Sequence, residues 1–353
     1  MPFSMQHPSR HVWDFWYHFD PQAKLFHVFY LNADRNLVSS GQHHYASCVG
    51  HATTTDFVNI DWGDEGNFDV LKPPLGHWAN TCVWSGDIIK AKNSYLMFYT
   101  SRNRHQDDGK TQSIGVAYTR DLFAKQWHFF DTQLKPKFFY QTRGITGDLT
   151  IHAWRDPFLF RHRESRQIFM LVSAKTQHGP IGKRGAIALL HTTEADFAQV
   201  VCGDRPWQYL TPLVAPGCYA EMEVPQLYRH THGSYELVFS CWAKYDFSSV
   251  TGGVGGFQSI MVPQLWTDER DSQRPAREGV GAASPRENRS PSPPASLTIR
   301  VLTPENQGLY ACRIVPELDG AIVGFDIQTG GIRPSGIHTH LAAVDRDFSD
   351  LAV

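Results

Sequence analysis

Four acidic residues lie near the start of apolar, strand-like segments, where carboxylates are unusual. Glu221 and Glu223 are two residues apart in "AEMEVPQLY", whereas Asp14 lies in "VWDFW" and Asp156 in "RDPFLF". Side chains two residues apart on a strand point to the same side, so both glutamates can face one cavity. Carboxylates crowded in a pocket have pKa values that move apart, so one stays ionised while another keeps its proton. Such a pair can cleave a glycosidic bond.

Metal binding is the alternative use of such carboxylates, because divalent cations prefer oxygen ligands. The sequence contains no calcium-loop spacing of the D-x-D-x-D-G kind. The histidines of "HH" at 43–44 and "HTH" at 338–340 are isolated in loop-like segments, and we expect no metal there. The sequence therefore predicts neither a metal nor a cofactor. Taken alone, the Asp-Pro at 156–157 is also typical of a simple turn.

An internal repeat explains how acids that are distant in the chain can meet. Five times, a short segment and a few turn residues precede a strongly apolar strand, and an early polar residue marks each unit. The markers are Asp14, Asp87, Asp156, Glu223 and Arg313, at intervals of 73, 69, 67 and 90 residues. Repeats of this length that hold several short strands predict an all-β fold, a five-bladed β-propeller. Because the first strand of each blade lines the channel, its early residues would surround one funnel.

The longest interval contains a low-complexity segment, which runs from about Thr267 to Ser296. It is rich in Pro, Ser, Arg and Gly and poor in apolar residues, a composition that cannot bury enough surface to fold. We expect residues 1–353 to form one propeller domain, with this insertion disordered between the fourth and fifth blades. An irregular β-sandwich with similar hairpins is the alternative fold.

Composition narrows the class of protein further. The 353 residues include 33 Lys+Arg and 35 Asp+Glu, so no basic face for nucleic acid is indicated. The six cysteines form no C-x-x-C pair, and there is neither an apolar run long enough to span a membrane nor a secretory signal pattern. We therefore expect a cytoplasmic protein with reduced cysteines. The 22 Phe, 13 Tyr and 10 Trp suit both strands and sugar-stacking sites.

Four motifs in successive repeats resemble glycoside hydrolase families 32 and 68, the invertase, levanase and levansucrase group of five-bladed propellers. "VWDFW" at 12–16 is similar to V-W-D-x-W of family 68, and "WSG" at 84–86 matches its W-S-G. "RDP" at 155–157 is shared by both families. "EMEVP" at 221–225 resembles E-x-E-R-P of family 68 and, more loosely, E-C-P of family 32, and it has Val224 where family 68 has arginine.

This resemblance implies a role for each matching residue. It implies Asp14 as the nucleophile, Glu223 as the general acid/base and Asp156 as the group that stabilises the oxocarbenium-like transition state. It also implies five substrate-binding residues: Trp13, Trp84, Ser85, Arg155 and Glu221.

The function expected from these features is a retaining β-fructofuranosidase or fructosyltransferase that acts on a small carbohydrate such as sucrose or a fructan. Two alternatives stay open. One is an inverting arabinofuranosidase or xylosidase of the family 43 type, which shares the fold and the three acids. The other is a non-catalytic carbohydrate-binding propeller, which would not need Asp14, Asp156 and Glu223 together. The sequence says nothing about the oligomeric state.

Overall fold

Short strands joined by turns make up nearly all of the regular structure. The structure is a computed structural model that describes residues 6–7, 9–39, 41–63, 69–124, 126–149, 152–262, 265 and 297–353. The low-complexity segment 267–296 lies outside these residues. Alternating and continuous apolar runs bounded by turn residues favour strands over helices. Accordingly, one short α-helix, α1 (Phe197–Cys202), accompanies the strands in the described part of the chain.

The strands form five antiparallel sheets, which are the five blades of a β-propeller. Blade 1 contains β1 (Arg10–Asp20), β2 (Leu25–Asp34), β3 (Cys48–Thr54), β4 (Ile60–Asp61) and β5 (Asp69–Leu71). Blade 2 contains β6 (Val83–Ala91), β7 (Ser94–Arg102), β8 (Gln112–Thr119) and β9 (His128–Phe129). Blade 3 contains β10 (Trp154–His162), β11 (Gln167–Lys175), β12 (Gly185–Thr193) and β13 (Gln208–Tyr209).

The last two blades complete the ring. Blade 4 contains β14 (Glu223–Arg229), β15 (Tyr235–Cys241), β16 (Gly256–Val262) and β17 (Ile299–Thr303). Blade 5 contains β18 (Leu309–Val315), β19 (Ala321–Asp326) and β20 (Ile332–His338), after which β21 (Ala342–Ala343) pairs with β14. The described part also contains six 3-10 turns: His43–Tyr45, Asp107–Gly109, Glu194–Asp196, Ala243–Tyr245, Glu305–Gln307 and Pro316–Leu318.

The five-bladed propeller predicted from the repeats is confirmed, but the predicted place of the insertion is wrong. Strands β16 and β17 flank the insertion and pair with each other in blade 4. The insertion therefore interrupts the fourth blade instead of joining it to the fifth. The sequence repeat could not show this, because the outer strand of a blade is short and carries little of the repeated pattern.

Apolar side chains pack between every pair of neighbouring blades. Separate buried clusters join blades 1 and 2, blades 2 and 3, blades 3 and 4, and blades 4 and 5. A fifth cluster closes the ring, because Phe15 and Val28 of blade 1 pack with Val315, Val323 and Ile332 of blade 5. Burial of apolar surface therefore holds the blades together around the channel.

The first strand of every blade contains a β-bulge near its start. The register of pairing with the second strand shifts at equivalent places in all five blades: Val12/Phe15, Trp84/Gly86, Arg155/Phe158, Glu223/Gln226 and Tyr310/Arg313. A bulge inserts an extra residue and re-aims the neighbouring side chains. Three bulge residues, Asp156, Val224 and Ala311, have positive φ angles of 58°, 50° and 46°. The bulges thus form a ring of distorted backbone at one end of the channel.

Candidate active site

A pocket of about 440 Å³ opens at the bulged end of the channel. All eight residues that the sequence analysis singled out line this pocket: Trp13, Asp14, Trp84, Ser85, Arg155, Asp156, Glu221 and Glu223. They come from blades 1 to 4, so the propeller brings together residues that are up to 210 positions apart in the chain. Their chemical roles stay predictions, whereas their meeting in one pocket is a structural fact.

Asp14 lies in the bulge of β1 and is held by a neighbouring blade. The Ser85 hydroxyl donates a hydrogen bond of 2.5 Å to Oδ2 of Asp14. Burial raises the pKa of Asp14, while the Ser85 hydrogen bond and the fields of His44 and Arg313 lower it. The structure thus leaves Oδ1 as the carboxylate oxygen that the Ser85 hydroxyl does not engage.

A single arginine, Arg155, connects Glu221 and Glu223. Nη2 of Arg155 lies 2.7 Å from Oε2 of Glu221 and 2.9 Å from Oε1 of Glu223. Glu221 lies just before β14 and Glu223 is its first residue, and both side chains point to the same cation, as the two-residue spacing predicts. Burial alone would lower the pKa of Arg155, but the surrounding carboxylates outweigh it and hold this pKa well above its usual range. Arg155 therefore stays charged.

Glu223 is an acid whose pKa is raised above neutrality. Burial raises its pKa to about 8; Arg155 opposes this shift, and the charges of Glu221 and Asp156 reinforce it. The Tyr310 hydroxyl donates a hydrogen bond of 2.8 Å to Oε2 of Glu223. Near neutral pH, Glu223 is therefore mainly protonated, and two donors are in place to receive its charge once the proton leaves.

Asp156 completes the group of acids from blade 3. Its Oδ2 accepts a hydrogen bond of 2.9 Å from the backbone N–H of Val224 and lies 3.6 Å from Nε of Arg155. Burial raises the pKa of Asp156 to about 7. The charge of Arg155 opposes this shift, and the charge of Asp14 adds to it. The left-handed backbone of Val224 is strained for a β-branched residue, and strain of this kind concentrates at functional sites.

Aromatic side chains and the turn at 43–45 form one wall of the pocket. The ring of Trp13 packs edge-on against His43 and His44, with centroid distances of 4.7 and 5.4 Å. Nε1 of Trp84 donates to the backbone carbonyl of His44 at 2.7 Å. His43 and His44, which the sequence analysis considered only as metal ligands, therefore shape the wall. Among the described residues, no group of three or more His, Cys, Asp or Glu is arranged to hold a metal ion.

Sequence reasoning missed the contribution of blade 5 and of the turn that follows β15. Tyr310, Trp242, Lys244 and Tyr245 all line the pocket, and the Trp242 ring stacks on Tyr310 with centroids 4.0 Å apart. The repeat did contain a signal for Tyr310. It precedes its bulge just as Arg155 and Glu223 precede theirs, and these three side chains are hydrogen-bonded to one another through Glu223.

Two of the polar markers used to align the repeats lie deeper in the channel than the acids. Asp87 accepts hydrogen bonds from the backbone N–H of Leu159 and from Arg346, at 2.8 and 2.5 Å. Nε of Arg313 donates to the carbonyl of Phe15 at 2.5 Å. In blade 2, the bulge therefore brings Ser85, not Asp87, to the level of Asp14. The polar markers therefore predicted the spacing of the blades correctly, but Asp87 and Arg313 do not lie level with the acids of the pocket.

The match to a family model agrees with this fold and site. Residues 19–228 match the glycosyl hydrolases family 32 N-terminal domain, which is more than half of the chain. The chain therefore belongs to glycosyl hydrolase family 32 and is a glycosidase with a five-bladed β-propeller fold. The matched range includes Arg155, Asp156, Glu221 and Glu223, whereas Asp14 precedes it. No curated protein matches the chain in sequence.

Solved structures with similar folds are distant in sequence. The inulosucrase from Halalkalicoccus jeotgali bound to kestose has a TM-score of 0.54 and 18% identity, over 75% of this chain and 68% of its own. The fructofuranosidase from Schwanniomyces occidentalis complexed with fructosylnystose has a TM-score of 0.55 and 15% identity, over 92% of this chain and 53% of its own. A levansucrase from B. megaterium has a TM-score of 0.51 and 15% identity, over 72% of this chain and 68% of its own. The chain thus spans about half of the fructofuranosidase, and these likenesses show the fold alone.

Proposed function

We propose that the protein cleaves β-fructofuranosyl linkages by a retaining double displacement, with either water or a sugar hydroxyl as the acceptor. The convergence of Asp14, Asp156 and Glu223 in one pocket, where Arg155 contacts Asp156 and Glu223, carries this proposal. The family membership supports it, as do relatives of similar fold whose names describe fructofuranosidase, inulosucrase and levansucrase. The substrate is a small fructose-containing carbohydrate.

In the first step, Asp14 attacks the anomeric carbon of the fructosyl unit. Because Oδ2 of Asp14 accepts the Ser85 hydrogen, Oδ1 forms the bond to carbon. The bond from that carbon to the glycosidic oxygen breaks, and Glu223 gives its proton to the departing oxygen. Arg155 and Tyr310 then stabilise the new Glu223 carboxylate, because both already donate hydrogen bonds to it.

In the second step, Glu223 acts as a base. It removes a proton from water or from an acceptor hydroxyl, whose oxygen attacks the anomeric carbon and displaces Asp14. Asp156 holds hydroxyls of the fructosyl ring and stabilises the positive charge that develops in both transition states. Its position next to Val224 N–H and Arg155 fixes the direction of its carboxylate, and this preorganisation favours the transition state.

A substrate panel and the stereochemistry of the first product test the proposal. Sucrose, inulin, levan and an aryl α-L-arabinofuranoside are incubated with the protein, and the anomer released first is identified by NMR. Release or transfer of fructose with net retention is expected, together with no reaction of the arabinofuranoside. Net inversion excludes the double displacement, and cleavage of the arabinofuranoside alone favours the family 43 alternative. Binding of fructosides by wild-type protein that never cleaves them would favour the non-catalytic alternative.

A further inference from the structure

Small hydroxyl residues occupy one equivalent position on the second strands of blades 2, 3 and 4. Thr100 of β7, Ser173 of β11 and Ser240 of β15 each lie opposite the last paired residue before the bulge of the first strand. All three are fully buried, at 0% relative exposure. A buried hydroxyl is unfavourable unless it is hydrogen-bonded. The partners of these hydroxyls therefore indicate what each one does.

Thr100 connects the bulges of two different blades. Its Oγ1 donates to the backbone carbonyl of Ser85 at 2.8 Å and accepts from the backbone N–H of Asp156 at 3.0 Å. The Ser85 side chain in turn holds Asp14. One side chain that is absent from the pocket lining thus joins the residue that holds Asp14 to the backbone that carries Asp156.

Ser173 makes the corresponding connection one blade further on. Its Oγ donates to the backbone carbonyl of Met222 at 2.5 Å. Met222 lies between Glu221 and Glu223 and is itself buried. The hydroxyl of blade 3 therefore holds the start of β14 at the point where the two glutamates project towards Arg155.

Ser240 occupies the same position in blade 4 but makes no such link. Its hydroxyl is buried and has no hydrogen-bond partner within the described ranges. Blade 4 is also followed by blade 5, whose bulge carries no acid: the residues there are Tyr310, Ala311 and Cys312. Of the three equivalent hydroxyls, those of blades 2 and 3 hydrogen-bond to a neighbouring blade that carries a carboxylate there, whereas that of blade 4 does not. Blade 4 instead reaches the bulge of blade 5 through Gln226, whose Nε2 donates to the carbonyl of Cys312 at 2.9 Å.

We propose that Thr100 and Ser173 are positioning residues that set the spacing of the carboxylates on neighbouring blades. Apolar packing between blades is non-directional, so it cannot by itself fix rotation or sliding of one blade against the next at the scale that catalysis needs. Directional hydrogen bonds at the bulges supply this restraint. The expected effect on catalysis rests on the proposed function. The restraint on the blades rests on the geometry alone.

Four variants test the proposal: T100V, T100S, S173A and S240A. T100V keeps the shape of the side chain but removes the hydroxyl, so we expect kcat with a cleaved fructoside to fall by about 10²-fold, the loss that follows a misplacement of about 1 Å. KM should change little, because an interaction needed for the transition state is lost. T100S should restore most of kcat, S173A should lower kcat, and S240A should resemble the wild type in both constants.

A crystal structure of each variant supplies a readout that does not depend on activity. In T100V the Asp156 carboxylate should shift relative to Asp14, whereas T100S and S240A should superimpose on the wild type. If T100V and S173A match S240A in kcat while the wild type is active, the positioning proposal is overturned. If the wild type cleaves no fructoside, the proposed function fails instead, and an unmoved Asp156 in T100V would then overturn the positioning proposal independently.

Discussion

At the scale of single residues, the main feature of the site is that three carboxylates surround one cation, Arg155. Arg155 contacts Glu221, Glu223 and Asp156 within 3.6 Å, so its single charge cannot compensate all three carboxylates. Burial adds to the imbalance and raises the pKa of Asp156 to about 7 and that of Glu223 to about 8. With such a pKa, Glu223 keeps its proton near neutral pH, which is what a general acid needs.

Replacing Glu223 and Asp14 one at a time should separate the role of the general acid from that of the nucleophile. E223Q removes the proton donor, so we expect kcat/KM to fall by about 10²- to 10⁴-fold with sucrose but much less with fructosyl fluoride, whose leaving group needs no proton. D14N should abolish turnover of both donors, because neither can form the covalent intermediate. Initial rates with the two donors measure the difference. Equal losses for both donors in E223Q would contradict the assignment of Glu223.

The pH profile should report Glu223 directly. Because the reaction needs protonated Glu223, kcat/KM should fall as pH rises through a value near 8. The Tyr310 hydroxyl stabilises the ionised form and so lowers this pKa. Y310F should therefore move the alkaline limb of the profile to higher pH. Y118F, which removes a hydroxyl from the remote strand β8, should leave the limb in place, and an unmoved limb in Y310F would contradict the prediction.

At the scale of the elements, the first strands depend on side chains from neighbouring blades. These strands line the channel as sheet edges, so some of their backbone groups have no partner strand. Asp87 of β6 accepts the N–H of Leu159 in β10, and Arg313 of β18 donates to the carbonyl of Phe15 in β1. The channel below the pocket is thus closed by polar pairing between blades, whereas the blades' flanks are joined by apolar packing.

Removing Asp87 should destabilise the propeller without touching the pocket. D87A leaves the N–H of Leu159 buried without its partner, and the half-buried Arg346 keeps only the carbonyl of Ile88. The free energy of unfolding should therefore fall by about 1–3 kcal/mol. Urea unfolding followed by fluorescence measures this loss. D204N, at an exposed position, is the control and should stay within about 0.5 kcal/mol of the wild type. A D87A midpoint equal to that of D204N would show that Asp87 stabilises nothing.

At the scale of the whole molecule, the C-terminal segment ties three blades together. After pairing with β14 of blade 4, the chain crosses blade 3, where the carbonyl of Asp345 accepts the N–H of Arg161 at 2.8 Å. Arg346 then reaches Asp87 in blade 2, and the carbonyl of Leu351 accepts the N–H of Lys92. All six cysteines are free thiols, so this C-terminal segment and the inter-blade clusters close the ring without disulfides.

No helix in the described part is long and apolar enough to cross a membrane.

Buried histidines should make the folded molecule sensitive to acid. Burial lowers the pKa of His18 and His152 from 6.5 to about 4. Because the unfolded chain takes up protons first, stability from these groups is fully present above pH 6.5 and is lost as pH falls towards 4. Asp156 and Glu223 act in the opposite direction, because their raised pKa values favour the folded state at low pH. The effect of a histidine is therefore measured by comparing each histidine variant with the wild type at the same pH.

The pairwise comparison uses H152Q and H105Q. The melting temperature of H152Q relative to the wild type should rise as pH falls from 6.5 to 4, because the variant has no proton to take up at position 152. H105Q alters an exposed histidine and should follow the wild type at every pH. Parallel curves for H152Q and the wild type would mean that His152 does not contribute to acid unfolding.

Much of the fold could be predicted from local patterns. Each blade's strands lie within about 70 consecutive residues, and the apolar runs and turn residues that specify them are read directly along the chain. The exception was the insertion, because residues 263–298 separate β16 from its partner β17. No local pattern specifies which strand a short outer strand joins after such a gap, and only closure of the sheet decides it.

The chain alone indicated which residue types could do chemistry, and it showed that a polar residue recurs near the start of each of the five repeats. Asp14, Ser85, Arg155, Asp156, Glu221 and Glu223 followed from spacing and motif resemblance. The tertiary structure decided that Tyr310 binds Glu223, that Arg155 is shared, and that Thr100 links two bulges. It also decided the protonation of the acids, because a pKa depends on burial and on charges that arrive from other blades. A strand's sequence encodes which of its faces is polar, but the partner of that face comes from residues tens to hundreds of positions away, and only closing the ring brings the two together.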